Sequence, residues 1–277
     1  MILYRTEAGA VIATEDGLFP IDREWHELVN DDALHATLAA HCAAIPPVPA
    51  LAPAVSRPLA PIGVKQELWA AGVTWFRSRA ARIEESESAG GGDFYSRVYD
   101  AERPELFLKA TPQRVVGPGE SLHLRRDSAW IVPEPELVLA ITRRGRIVGW
   151  TIGNDLSCRD IEGENPLYLP QAKTFARCAA LGPGLLVSTA PPPATTEIRL
   201  AIERAGARVF AGAARLARMK RRPEELVDFL FRDNSHPEGC LLMTGTGIVP
   251  PSGFSLQAGD LVSIAIDGIG TLENPVR

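Results

Sequence analysis

Three acidic residues have the types and the spacing to hold a metal ion. Glu134 and Glu136 lie in the run WIVPEPELVLAI, and Asp155 follows nineteen residues after Glu136 in IVGWTIGNDLSCRD. Carboxylates are rarely buried unless a cation or hydrogen-bond donors compensate their charge. Two carboxylates about 4 Å apart repel each other by roughly 4 kcal/mol at an effective dielectric constant of 20, and a shared proton or a bound cation would relieve that repulsion.

The elements that must position these acids are two strands. The apolar run LVLAI after Glu136 is typical of a core strand, and side chains two residues apart on a strand point to the same face, so Glu134 and Glu136 share a face. The proline before each glutamate cannot donate a ladder hydrogen bond, which places this end at a sheet edge or a cavity. A second strand ends near residues 150–153, and a hairpin between the two strands would bring Asp155 beside the glutamates.

Three carboxylates with no histidine or cysteine nearby would form an all-oxygen site. Such a site suits hard cations, Mg²⁺ first and then Mn²⁺ or Ca²⁺. The alternative is a set of exposed acids at a strand end, paired with some of the many arginines of the chain. On spacing alone, the two interpretations stay open.

The rest of the chain predicts a mostly-β body with some helix, in the α+β class. Short apolar runs such as LFLKA, SLHLR, LLVS, EIRLAI and LVSIAI alternate with Gly and Pro turns, and PEELVDFLFRDN predicts one clear helix behind Pro223. Six prolines between Ile45 and Pro61 predict an extended connector without a helix. We therefore predict a small N-terminal module with its connector at residues 1–61 and a catalytic domain at residues 62–277.

Composition excludes some classes of partner. The net charge of −5 argues against a nucleic-acid-binding role, which needs a concentrated basic surface. No apolar run is long enough for a membrane span, and the early acids of MILYRTEAGAVIATEDG do not fit a signal peptide, so we expect a cytoplasmic protein without membrane contact.

Several dispersed motifs make the chain similar to the fumarylacetoacetate hydrolase family. The matching segments are EPE at 134–136, NDLSCRD at 154–160, QAKTF at 171–175, TGTGIVPP at 244–251 and the closing AGDLVSIAIDGIGTLENPV. The resemblance implies a rolled, mixed β-sandwich that assembles as a homodimer or homotetramer. It also implies Mg²⁺ ligation by Glu134, Glu136 and Asp155, and a pocket position for Lys173.

The resemblance implies a 2-oxo acid substrate, because a cation held by three carboxylates keeps positions open for its oxygens. Hydrolases of the family resemble GxNYxxHxxE near the start of the domain, where the His–Glu pair activates water. This chain has GVTWFRSRAAR there, with Ser78 in place of the histidine and Ala81 in place of the glutamate. Among the five histidines, His236 in the loop RDNSHPEG is the one plausible substitute.

The extended run GNDLSCRDIEGENPLYLPQAKTF is most similar to one branch of the family, the 2-keto-3-deoxy-pentonate dehydratases. It implies Mg²⁺-dependent dehydration of 2-dehydro-3-deoxy-D-arabinonate or -xylonate to 2,5-dioxopentanoate, in non-phosphorylative pentose breakdown. The alternative is a C–C bond hydrolase that acts on an acylpyruvate such as fumarylpyruvate, or on a 2,4-diketo-3-deoxy sugar acid.

Chemistry then suggests a role for each remaining polar residue. A dication should lower the pKa of Lys173, which becomes the candidate base for the C3 proton, although a salt bridge to a metal-bound glutamate is its alternative role. Glu105 is the candidate acid for the departing C4 hydroxyl, Lys109 is expected to be structural, and Arg159 is expected to brace the Asp155 loop. The remaining candidates are expected to bind substrate: Thr246 in TGTGIVPP, Arg77, Ser78 and Arg82. For the two arginines, a surface ion pair is the alternative.

Overall fold

The computed structural model of the chain describes residues 1–77 and 97–277, and strands outnumber helices there. The strands are β1 Ile2–Thr6, β2 Gly9–Thr14, β3 Gly17–Ile21, β4 Glu67–Gly72, β5 Glu105–Ala110, β6 Val115–Val116, β7 Ile131–Val132, β8 Pro135–Ile141, β9 Ile147–Asp155, β10 Ser157–Cys158, β11 Ala179–Leu186, β12 Glu197–Arg204, β13 Ala207–Arg215, β14 Cys240–Met243, β15 Leu261–Ile266 and β16 Gly270–Pro275.

The helices in the described ranges are short. Those with both ends inside these ranges are α1 Trp25–Leu28, α2 Leu34–Ala44, α3 Ala52–Val55, α4 Arg159–Glu164, α5 Leu169–Lys173 and α6 Pro223–Phe231, with single 3₁₀ turns at Pro49–Leu51, Pro112–Arg114, Pro166–Tyr168 and Leu216–Arg218. The predicted helix behind Pro223 is confirmed as α6, which buries Leu226, Val227 and Leu230. None of the helices within these ranges has the length and apolar character needed to cross a membrane.

Two sheets form the body of the protein. The large sheet has the order β3-β2-β1-β11-β9-β8-β14-β4-β5, with β6 beside β11, and the smaller sheet has the order β13-β12-β15-β16. Most neighbours are antiparallel, whereas β14 and β4 are parallel. Strand β12 packs on β8 and β15 on β9, and alternate residues of β12 and β15 are buried in the shared core. The predicted mixed β-sandwich is confirmed.

The central hairpin β8–β9 is the best buried part of the large sheet. All seven residues of β8 and eight of the nine residues of β9 are buried. Neighbouring strands cover both edges of this pair, and the small sheet covers one face, so apolar residues are needed on both faces of the strands. A charged side chain at the end of this hairpin is therefore held in a dry environment.

Strands β1 to β3 continue the large sheet, because β1 pairs antiparallel with β11. Their side chains nevertheless form an apolar cluster with α1 and α2 that is distinct from the main core. The predicted division at residue 61 stays a prediction. The connector is not wholly extended as predicted, since the 3₁₀ turn Pro49–Leu51 and α3 occupy its centre, with a proline in the first turn of each. The segment SLHLR is not a strand, and Leu122 forms only an isolated bridge to Val276.

Candidate active site

The β8–β9 hairpin brings the three predicted acids together. Glu136 pairs with Gly153 in the ladder, and the N–H of Asp155 donates to the carbonyl oxygen of Glu134 over 2.9 Å. One carboxylate oxygen of each acid lies within 4.8 Å of one from each of the other two, and all three side chains are buried. The hairpin expected from the sequence is confirmed, and the interpretation of these acids as an exposed set is wrong.

Lys173 lies against these acids from the end of helix α5. Its Nζ donates to Glu134 Oε2 over 2.6 Å and to Ser157 Oγ over 2.6 Å, and it is 3.3 Å from Asp155 Oδ2. The Phe107 ring centroid is 5.7 Å from the same nitrogen. The side chain is 1% exposed, so the ammonium group depends on these partners for its stabilisation.

Lys109 is a second buried lysine at the site, on strand β5. Its Nζ lies 2.6 Å from Asp155 Oδ1, donates to the carbonyl oxygen of Leu156 over 2.8 Å, and also donates to the carbonyl oxygen of Lys173. An ammonium group has three hydrogens to donate, and three oxygens surround this one. Lys109 therefore connects the end of β9 to the end of α5.

Arg159 contacts one of the acids directly instead of only bracing the loop. It is the first residue of helix α4, and its Nη2 donates to Glu134 Oε1. Its Nη1 lies 3.8 Å from Glu162 Oε2 in the same helix. All three side chains are buried, so water does not compensate the charges of the two carboxylates. The guanidinium group of Arg159 supplies that compensation.

Glu136 differs from the other two acids in its surroundings. Within the described ranges it forms no ion pair, and its Oε2 accepts a hydrogen bond from the N–H of Gly245. Burial, and then repulsion by Asp155 and Glu134, raises the pKa of Glu136 well above its ordinary value. A dication placed among the three acids would remove this penalty, and the all-carboxylate donor set suits Mg²⁺. The residues present therefore fit the implied metal.

The loop that supplies this N–H is held by residues that follow strand β4. Thr74 Oγ1 donates to the carbonyl oxygen of Thr244 over 2.6 Å, and Trp75 Nε1 donates to that of Gly245 over 3.0 Å. Gly245 has a φ of +88°, in the region that favours glycine. These contacts fix the backbone group that faces Glu136.

Thr246 is buried next to this loop position. Its hydroxyl donates to the carbonyl oxygen of Ile248 over 3.1 Å and accepts the N–H of the same residue over 3.1 Å. The hydroxyl thus stabilises its own turn in this structure. Its role in substrate binding stays a prediction.

Glu105 is the first residue of strand β5. Residues two apart on a strand share a face, so Glu105 is on the same side as Phe107, whose ring lies 5.7 Å from Lys173 Nζ. Lys109, opposite the register shift between Leu68 and Trp69, contacts Asp155 from the same strand. Glu105 is half-buried and pairs with Gly72, the last residue of β4. The role of Glu105 as the proton donor stays a prediction. Lys109, which the sequence analysis expected to be structural, contacts Asp155 directly, and Phe107, which it did not single out, contacts Lys173.

Two further predicted residues, Arg77 and His236, lie outside this cluster. Arg77 is exposed, and Ser78 and Arg82 lie outside the described residues. His236 is near the start of β14, where Cys240 pairs with Ile141, five residues along β8 from Glu136. At about 3.3 Å per residue, the Ile141 end of β8 is roughly 17 Å from Glu136. His236 therefore does not replace the histidine of the hydrolase motif.

Comparison with known proteins agrees with the geometry. The model of the family described as Fumarylacetoacetate (FAA) hydrolase C-terminal matches residues 76–277. The chain belongs to this family. Members of the family in the wider comparison carry different activities, so the more similar relatives are informative about the reaction.

Two of the most similar curated relatives are sugar-acid dehydratases. A probable 2-keto-3-deoxyxylonate dehydratase of Haloferax volcanii is 50% identical over 212 residues, which cover 76% of this chain and 72% of the relative. The 2-dehydro-3-deoxy-D-arabinonate dehydratase of Saccharolobus solfataricus is 43% identical over 225 residues, which cover 80% and 74%.

A solved structure extends the similarity to the whole chain. The structure of 2-keto-3-deoxy-D-arabinonate dehydratase complexed with magnesium and 2,5-dioxopentanoate has a TM-score of 0.83 and 34% identity, and the match covers 100% of this chain and 99% of that one. The N-terminal strands and the connector are included in that match.

Proposed function

We propose that this protein is a Mg²⁺-dependent hydro-lyase that dehydrates a 2-keto-3-deoxy-pentonate, 2-dehydro-3-deoxy-D-arabinonate or -xylonate, to 2,5-dioxopentanoate. The observation that carries the proposal is the buried group of Glu134, Glu136 and Asp155, with Lys173 2.6 Å from Glu134. The identity of 50% and 43% to two dehydratases supports the choice of reaction.

Glu134, Glu136 and Asp155 would hold the cation. When bound, Mg²⁺ supplies Lewis-acid chemistry: it polarises the 2-oxo group of the substrate and stabilises the charge that develops on its oxygen. The N–H of Gly245 and the guanidinium group of Arg159 hold two of these carboxylates in place. Mn²⁺ and Ca²⁺ are expected substitutes because they also prefer oxygen ligands.

Lys173 would remove a C3 proton. Two of its three hydrogen-bond partners are the proposed metal ligands Glu134 and Asp155, so the amine lies beside the position where the 2-oxo acid would bind. Substitution of Lys173 by methionine should lower dehydration by about 10³-fold. It should also abolish Mg²⁺-dependent exchange of the C3 protons of 2-oxobutyrate with deuterated water, which NMR measures. Rapid exchange in this variant would contradict the assignment.

Glu105 would donate a proton to the C4 hydroxyl, which leaves as water. The C3–H and C4–O bonds break and a C3=C4 double bond forms. Transfer of a proton from C5 to C3 then moves the double bond to C4=C5, and the resulting enol becomes the C5 aldehyde. One water is lost overall, and no oxidant or reductant is needed. Substrate contacts by Thr246, Arg77, Ser78 and Arg82 remain part of this proposal.

Product analysis tests the function. Purified protein with Mg²⁺ should convert a 2-keto-3-deoxy-pentonate to 2,5-dioxopentanoate, detected by its aldehyde and by mass. The alternative, hydrolysis of an acylpyruvate or of a 2,4-diketo-3-deoxy sugar acid, is not favoured, because the hydrolase positions hold Ser78 and Ala81 and His236 lies at the far end of β8. Release of pyruvate from fumarylpyruvate without any dehydration of the pentonate would reverse this choice.

The assembly and location of the enzyme are also proposals. A homodimer or homotetramer is expected, which light scattering coupled to size-exclusion chromatography would measure. A cytoplasmic location is expected as well, which cell fractionation would test.

A further inference from the structure

We infer that Gly72 is a positioning residue for Glu105: the missing side chain at position 72 lets the Glu105 carboxyl group lie over the end of strand β4, beside the loop that holds Glu136. This inference rests on the proposed function, in which Glu105 protonates the leaving hydroxyl. It concerns a residue that makes no contact with substrate of its own and acts only through Glu105.

The space above Gly72 is filled by the carboxyl group of Glu105. The two residues are directly paired in the β4–β5 ladder. A Cβ atom at position 72 would overlap Glu105 Oε2 and would lie 2.5 Å from its Cδ and 3.3 Å from its Cγ. No other atoms are as close to that position within the described ranges. Any side chain at 72 therefore competes with Glu105 for the same volume.

The backbone at Gly72 gives no other reason for a glycine. Gly72 is not among the residues with positive φ, and it pairs as an ordinary strand residue. Glycine inside a strand loses conformational entropy on folding and buries no side chain, so it weakens the sheet unless something must approach closely. Here the closely approaching group is the carboxyl group of Glu105.

The strand end at Gly72 adjoins the loop that binds Glu136. Two residues further along the chain, Thr74 holds the loop whose Gly245 N–H binds Glu136. A Cβ atom at Gly245 would lie 3.0 Å from the carbonyl oxygen of Ala71, so these two backbones are neighbours. The Glu105 carboxyl group thus lies over the strand end adjacent to the loop that holds Glu136.

Substitution of Gly72 by alanine should act selectively. The atoms that the new methyl group meets belong to the end of a flexible side chain, so the Glu105 carboxyl group can swing away while the backbone stays in place. Gly149, inside β9, offers a matched control. A Cβ atom there would have its nearest neighbours at 3.4, 3.5 and 3.7 Å, which are ordinary contacts.

A double-mutant cycle tests the inference with wild type, Gly72→Ala, Glu105→Gln and the double variant, and with Gly149→Ala as the control. We expect Gly72→Ala to lower kcat about 100-fold, like Glu105→Gln, with KM and the Mg²⁺ dissociation constant nearly unchanged. The double variant should be no slower than Glu105→Gln, because both changes remove the same interaction. Gly149→Ala should keep wild-type kcat.

Proton exchange distinguishes a positioning role from a merely structural one. A general disturbance of the site would lower exchange and dehydration together, whereas loss of positioning should lower dehydration alone. Gly72→Ala should keep the wild-type rate of C3 exchange in 2-oxobutyrate, since that step uses Lys173 and requires no leaving hydroxyl. Equal losses of exchange and dehydration would mean that the substitution disturbs the whole site, and they would overturn the inference. Wild-type kcat in Gly72→Ala would also overturn it, as would a similar loss in the wild-type and Glu105→Gln backgrounds.

Glu105→Asp decides the matter if Gly72→Ala does not fold. The shorter side chain keeps the acid but withdraws it from Gly72, so kcat should fall while C3 exchange stays; wild-type kcat in this variant would overturn the inference. A wild-type protein that forms no 2,5-dioxopentanoate would overturn both this inference and the proposed function. A wild-type protein that dehydrates, together with a fully active Gly72→Ala variant, would overturn the inference alone.

Discussion

The two ends of the paired strands β8 and β14 are stabilised in opposite ways. At the end with Glu136, the three acids and Glu162 are buried together with three cationic side chains. At the end with Cys240, His236 packs between aromatic rings, with centroids 4.8 Å from Phe231 and 5.9 Å from Trp69, and its Nδ1 lies 3.3 Å from Glu67 Oε2.

The charged end of this pair of strands is best explained by function, and the aromatic end by stability. Buried ion pairs seldom stabilise a fold more than well-packed apolar residues of the same volume would, because desolvation costs several kcal/mol per ion. The aromatic end shows that these two strands can end in a buried environment without a cluster of charged side chains. The charges at the other end are therefore best explained by the chemistry that they support, and substitutions at the two ends should have different consequences.

The largest effect is expected for Glu136→Gln. This change should lower dehydration by about 10³-fold or more, because it removes a proposed metal ligand. The metal-free protein should become more stable by about 1–3 kcal/mol, because the amide is not repelled by Asp155 and Glu134. Activity assays and thermal unfolding in EDTA measure the two quantities. A metal-free variant that is less stable than wild type would contradict this account of the site.

An intermediate effect is expected for Lys109→Met. The substitution leaves Asp155 Oδ1 without the cation at 2.6 Å and should destabilise the metal-free protein by about 3 kcal/mol. Because a dication can then supply the missing positive charge, Mg²⁺ should raise the Tm of this variant more than that of wild type. Calorimetry with and without Mg²⁺ measures both shifts. An equal or smaller shift in the variant would show that Lys109 does not balance the charge of Asp155.

The smallest effect is expected for His236→Asn at the aromatic end. Loss of the ring contacts with Phe231 and Trp69 should lower stability by about 1–2 kcal/mol. Since this end is roughly 17 Å from Glu136, kcat should stay within about twofold of wild type and the Mg²⁺ response should not change. Urea unfolding and steady-state kinetics test both points. A large loss of activity would remove the contrast between the two ends.

The sequence predicted best where the decisive contacts are local in the chain. Alternation along β8 places Glu134 and Glu136 on one face, and a single hairpin returns Asp155 to them. The same reasoning failed for SLHLR, whose alternating pattern resembles a strand although its backbone forms only one bridge, at Leu122, and two of its other N–H groups donate to the separate residues Arg177 and Arg277. Strands form where a partner is available, and one segment alone does not reveal its partner.

By itself, the sequence determined the family, the mixed β-sandwich, the three acids and the presence of Lys173 beside them, because these follow from motifs and from strand periodicity. Only the tertiary structure decided which cations surround the acids and where Glu105 lies. Lys109 and Glu105 come from the edge strand β5. Lys109 contacts Asp155 although β4, β14 and β8 lie between β5 and β9 in the sheet, and the room for Glu105 depends on a glycine 33 residues earlier in the chain. Contacts between residues so far apart are fixed by the packing of whole strands, which no local pattern encodes.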